Sequence, residues 1–185
     1  MNVHKIISLV GSDRKRQMEH THIVTRFDKD LNEIETLLVE MADKVSEQIR
    51  QSARALQDGD TDLAIIVSKN DSVINKLEER IDKKAIRLIA LRQPMAEDLR
   101  TAITTLKVST SLERMGDYAK TLSYRTRELD DLSTMKPVLR TISEMSGKIC
   151  TMLNLVMESY VNRDLKKAVK ARELGRKGIV VGDRV

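Results

Sequence analysis

Between Asp28 and Leu129 the chain meets a single proline, Pro94, and its apolar residues recur every three or four positions along that stretch. Such a pattern admits long amphipathic helices and offers nothing to a sheet. The first predicted helix runs from about Asp28 to Gln57, with Ile34, Leu37, Leu38, Met41, Val45, Ile49, Ala53 and Leu56 inward. Asp58-Gly59-Asp60 ends it, because Gly59 can take the left-handed cap conformation and Asp60 can cap the next helix. The second spans about Thr61 to Leu91, with Leu63, Ile66, Val67, Ile74, Leu77, Ile81, Ala85 and Leu88 inward. Pro94 suits the first position of a third helix that continues to about Leu129. Pro137 opens a fourth in the same way, carrying Ile142, Met145, Ile149, Met152, Leu153, Val156 and Tyr160. Short turns force neighbours to run antiparallel, so the fold class is all-α and helices one to three form an elongated bundle.

A shift of 104 positions lays Met41, Lys44 and Val45 on Met145, Lys148 and Ile149, Asp60 on Asp164 and Ala64 on Ala168 without gaps. Helix four and the start of a fifth therefore read as an incomplete second copy of helices one and two. Past Gly175 the pattern dissolves among glycines, and no sixth helix follows. The expected division is a flexible extension over residues 1–17, a first bundle over 18–132, a partial second bundle over 133–174 and an irregular tail over 175–185.

Charge and composition narrow the function. The net charge is +5, but Lys5, Arg14, Lys15 and Arg16 lie in the extension, and Arg176, Lys177 and Arg184 lie in the tail. The body between them is neutral and lacks the basic face of a nucleic-acid binder. Aromatic residues make up 2% of the chain, too few for base-stacking platforms. Cys150 is the only cysteine, which excludes a disulfide framework and a cysteine zinc site, and its apolar setting predicts a buried thiol. The run Ile6-Ile7-Ser8-Leu9-Val10 is too short for a secretion signal core, and no apolar stretch is long enough for a membrane span. A cytoplasmic location is expected.

Two sets of acids stand out. Glu113 and Asp117 are four residues apart on helix three and share a face expected to point outward. Asp71, Asn75, Glu78 and Asp82 form a polar line on helix two. Oxygen ligands on neighbouring helices suit divalent or iron-type metal ions, while acids at this spacing also serve as plain solvating charge. Catalysis has no comparable support: His4, His20 and His22 all precede the first predicted helix, and no glycine-rich phosphate loop is present.

The segments Asp71-Ser-Val-Ile-Asn-Lys-Leu-Glu78, Leu91-Arg-Gln-Pro94-Met-Ala-Glu-Asp-Leu-Arg100 and Leu112-Glu-Arg-Met-Gly-Asp117-Tyr-Ala-Lys120 occur in this order on the predicted helices. On these residues, and over Met18 to about Leu174, the chain resembles the PhoU family of phosphate-signalling regulators. The resemblance implies two similar three-helix bundles, the second of them incomplete here. It implies a negative regulator, an adaptor between the phosphate ABC transporter ATPase and a sensor histidine kinase, peripheral to the membrane and homo-oligomeric. It also implies metal bound through Glu/Asp-x-x-x-Asp motifs, matched by Glu113 with Asp117 and by Asp71 with Asn75, where an amide replaces a carboxylate. The shifted counterparts of Asp71 and Asn75 are Gly175 and Ile179, so no second cluster is expected. Met18 is a candidate initiator. Against the adaptor stand a structural or oligomerising bundle and a truncated product without signalling function.

Overall fold

The computed structural model describes residues 3–129 and 132–182, with side chains described over 27–129, at 132 and over 134–176. The elements are α1 (Val3–Asp58), α2 (Thr61–Arg92), α3 (Ala96–Glu128), α4 (Lys136–Asn162) and α5 (Leu165–Gly182), with a 3-10 turn at Ser133–Met135. The chain is all-α across the described residues, as the apolar period predicts. Helices α1, α2 and α3 pack on one another as a bundle, α4 lies on α1, and α5 lies on α4.

Two boundaries differ from the sequence reading. α1 begins at Val3 and not near Asp28, so a helical backbone stands where a flexible extension was expected over residues 3–17. The segment before Phe27 holds no proline and only Gly11, its Lys, Arg, Gln, Glu and Met residues are good helix formers, and Val3, Ile6, Ile7 and Val10 stand at helical spacing. Met1 and Asn2 lie outside the described residues. At the other end α5 continues through Gly175 and Gly178 to Gly182, in place of an irregular tail from residue 175. A glycine costs a helix about 1 kcal/mol relative to alanine, which weakens a helix without ending it. Gly175 also has a packing role, since a Cβ there would sit 3.0 Å from Met152 Cε. Residues 183–185 lie outside the described residues.

The core of the first bundle is built from Ile34, Leu38, Met41 and Val45 of α1 against Ile74, Leu77, Ile81 and Ala85 of α2. Ile66, expected inward, is half exposed. The seam of α3 is made differently. Its buried positions are Ala102, Thr105, Ser109, Leu112, Gly116, Ala119, Ser123 and Thr126, alternating three and four residues apart. Most are small or hydroxylic, which lets α3 approach its neighbours closely. The hydroxyls satisfy themselves within the helix: Thr105, Ser123 and Thr126 donate to the carbonyls of Thr101, Ala119 and Leu122 at 3.0 to 3.1 Å. Pro94 does not open α3 but precedes its N-cap, Met95, after Gln93 has closed α2 in the left-handed conformation at φ 45°.

The repeat is visible in the turns. Gly59 at φ 66° and Arg163 at φ 53° are equivalent positions, and each ends its helix in the left-handed region. The next residues, Asp60 and Asp164, cap α2 and α5: Asp60 Oδ1 accepts from the Leu63 N–H at 2.8 Å, and Asp164 Oδ1 accepts from the Lys166 N–H at 2.9 Å. Their own N–H groups donate back to the equivalent carbonyls of Ala55 and Ser159 at 2.9 and 3.0 Å.

Helix α4 turns Leu139, Ser146, Cys150, Leu153 and Met157 inward. A second stripe on it, Val138, Met145, Ile149 and Val156, remains 38–50% exposed. The residues equivalent to that stripe on α1 are Ile34, Met41, Val45 and Ser52, all at 1% exposure or less. The same face is thus core in the first bundle and surface in the partial second one.

Candidate functional site

The acids singled out in the sequence meet where α2 and α3 touch, although not in the arrangement expected. Asp71 is 2% exposed, well inside the seam and not on a polar flank. Gly116 faces it across the seam: a Cβ there would sit 3.0 Å from Ile74 Cδ1, so the bare glycine lets α3 approach α2 closely, and 3.7 Å from Asp71 Oδ1, an ordinary contact. Gln48 of α1 completes the junction, its Nε2 donating to Asp71 Oδ1 at 3.3 Å and to the Gly116 carbonyl at 3.2 Å. Lys120, one turn beyond Gly116, donates from Nζ to Asp71 Oδ2 at 2.7 Å and lies 3.9 Å from Asp117 Oδ1. Three helices are therefore tied by one buried carboxylate.

Around this knot lie the remaining acids. Glu113 is half-buried, while Asp117 and Asn75 are exposed. Burial holds the Glu113 carboxyl above its ordinary value, reinforced by Asp117, then by Glu78, and least by Asp71. The Lys120 ammonium is held above its ordinary value chiefly by its hydrogen bond to Asp71. Asp82, farther along α2, is raised by burial alone.

Glu113 and Asp117 are thus brought together with Asp71, whereas Asn75 stays on the outer side of α2. As the side chains stand, this set does not fit a metal cage. Both Asp71 oxygens are engaged by Lys120 and Gln48, and among the described residues no three His, Cys, Asp or Glu side chains converge on one point. The sequence reading missed Gln48, Lys120 and the Gly116 carbonyl. A glutamine on the inner face of α1, where every neighbour is apolar or small, was the available signal.

A second feature is an apolar groove of about 220 Å³ between α3 and α4. Ile49, Met115, Leu122, Ile142, Met145 and Ile149 line it. Farther along, the same two helices are joined by a 2.8 Å hydrogen bond between Tyr160 and Thr105. No helix among the described residues is long and apolar enough to cross a membrane.

Residues 38–126, covering the first bundle and this acidic knot, match the PhoU domain family. The chain is 34% identical over 159 residues to the phosphate-specific transport system accessory protein PhoU homologue of Zymomonas mobilis, covering 86% of this chain and 67% of that protein. It belongs to the PhoU family. The PhoU homologue of Clostridium acetobutylicum is 35% identical over 143 residues, covering 77% of this chain and 65% of the relative. For the PhoU protein of Escherichia coli the figures are 32% over 149 residues, 80% and 61%. The chain thus spans about two thirds of the length of the PhoU relatives it matches. Both the all-helical bundle and the family resemblance drawn from Asp71–Glu78, Leu91–Arg100 and Leu112–Lys120 are in accord with these matches.

Proposed function

We propose that this chain is a negative regulator of phosphate uptake and of phosphate-starvation signalling. It works in the cytoplasm as an adaptor between the phosphate ABC transporter and its sensor histidine kinase, with no catalysis of its own. The observation that carries this reading is the identity of 34–35% to phosphate-specific transport system accessory proteins, sustained over 77–86% of the chain. The long helical surfaces support it, since an adaptor recognises partners through extended faces, and the α3–α4 groove offers an apolar one. The test is repression in bacteria lacking their own PhoU-like protein. Expression of the soluble chain is expected to hold alkaline phosphatase low in high phosphate. Sustained phosphatase with soluble chain present rejects the adaptor.

A second reading, self-association, is favoured by the half-exposed stripe Val138, Met145, Ile149 and Val156 on α4. Light scattering on the purified chain and on Met145→Glu tests it: a dimer that the substitution dissolves supports it, and a monomer at all concentrations rejects it.

A further inference from the structure

Asp71 is the one charged residue buried among the described residues. A carboxylate withdrawn from water needs a counter-charge close by. Either a metal ion or an ammonium meets that need, and both would have to use the same two oxygens. The structure fills them from within the chain: Lys120 Nζ lies 2.7 Å from Oδ2 and Gln48 Nε2 lies 3.3 Å from Oδ1. Lys120 is itself 29% exposed, so its charge sits between the buried Asp71 and the exposed Asp117. We propose that Lys120 is the resident cation of this acidic knot, neutralising Asp71 in the place a metal ion would hold, so that the α2–α3 seam holds without metal.

Two consequences distinguish this from a merely structural ion pair. The wild-type chain is indifferent to metal, because the oxygens a hard cation would take are already engaged. Removing the ammonium frees Asp71 beside Glu113 and Asp117 and turns an indifferent protein into a metal-responsive one.

The experiment is thermal unfolding of the full chain, as wild type, Lys120→Met and the double variant Asp71→Asn/Lys120→Met, each in EDTA and in manganese chloride. Wild type is expected to unfold at the same temperature in both, within about 1 °C, and Lys120→Met roughly 5–10 °C lower in EDTA. Manganese is expected to restore a large part of that loss in Lys120→Met and none in the double variant. A wild-type midpoint that falls in EDTA overturns the proposal, because a metal then resides there despite Lys120. So does a Lys120→Met protein that stays low in manganese. Should Lys120→Met fail to fold in EDTA, the double variant decides. Its folding supports the pairing, and its failure shows that Lys120 acts on something other than Asp71.

Discussion

The Cys150 thiol donates a 3.4 Å hydrogen bond to the Ser46 carbonyl, and the two residues, 104 positions apart, are each other's counterparts in the internal repeat. Helices α1 and α4 cross antiparallel here, because Arg163, beyond Cys150 in the chain, meets Glu35, which precedes Ser46, in an ion pair at 3.1 Å. The partial second unit is attached to the first through this crossing, through the Tyr160–Thr105 bond and through little else that is polar.

Cys150 is 5% exposed, and its access to solvent depends on α4 leaving α1. A thiol reagent such as Ellman's reagent is expected to react with the native chain at least about 100-fold more slowly than with the unfolded one, the rate reporting how often the hairpin opens. Equal rates in the native and unfolded states contradict the packing of α4 on α1.

The two equivalent caps give a matched pair. Asp60→Ala and Asp164→Ala each remove a side-chain acceptor from the first turn of a helix, a loss of about 1 kcal/mol. Chemical denaturation of the full chain is expected to register Asp60→Ala in the main transition. Asp164→Ala is expected to act on the α4–α5 hairpin, seen as faster Cys150 labelling.

Glycines on different surfaces of the bundle answer oppositely to alanine. Nothing lies within 4 Å of a Cβ at Gly147, so Gly147→Ala is expected to stabilise by roughly 0.5–1 kcal/mol through helix propensity. At Gly116 the new methyl meets Ile74, which is 1% exposed and has nowhere to move. Gly116→Ala is expected to be net destabilising by about 1 kcal/mol despite the propensity gain, measured in the same denaturation series.

Glu113 supplies a pH signature. Its carboxyl is held above the ordinary 4.5 by burial and by Asp117, so the folded chain binds that proton more tightly than the unfolded one. The group opposes folding at neutral pH, and that opposition fades as pH falls through its raised value and is gone below 4.5. Glu113→Gln is expected to raise the unfolding midpoint at pH 7, with the gain shrinking toward pH 4.5. A gain that is constant across the range contradicts the assignment.

Helices α2 and α4, the core positions of α1 and the Gly59–Asp60 turn were legible because each rests on a local code. The 3.6-residue apolar period marks Ile34, Ile74 and Ile81, and an aspartate after a glycine marks Asp60, whereas Asp164 follows Arg163 and was matched only through the repeat. The seam of α3 was only half legible. Thr105, Ser109, Gly116, Ser123 and Thr126 do not register as apolar, yet they are buried because their hydroxyls bond backbone within the helix or, at Gly116, because nothing protrudes. The start of α1 was lost for a different reason: the apolar period of Val3, Ile6, Ile7 and Val10 is interrupted up to Ile23, with only Met18 between, so the two stretches do not read as one helix. At the acidic knot, spacing along α3 brought Glu113 and Asp117 to one face. Only three-dimensional packing shows that Asp71 is buried and that Gln48 and Lys120 hold it.

The crossing of α1 and α4 also sets an order of assembly. Within the first bundle Gln48 meets the Gly116 carbonyl 68 positions away, and the Ser46–Cys150 contact joins residues 104 apart. The surface Cys150 needs is one face of α1, whose other faces are held by α2 and α3. The second unit is therefore expected to assemble on the first as a template and to open before it, which hydrogen exchange in α4 and α5 against α1–α3 checks.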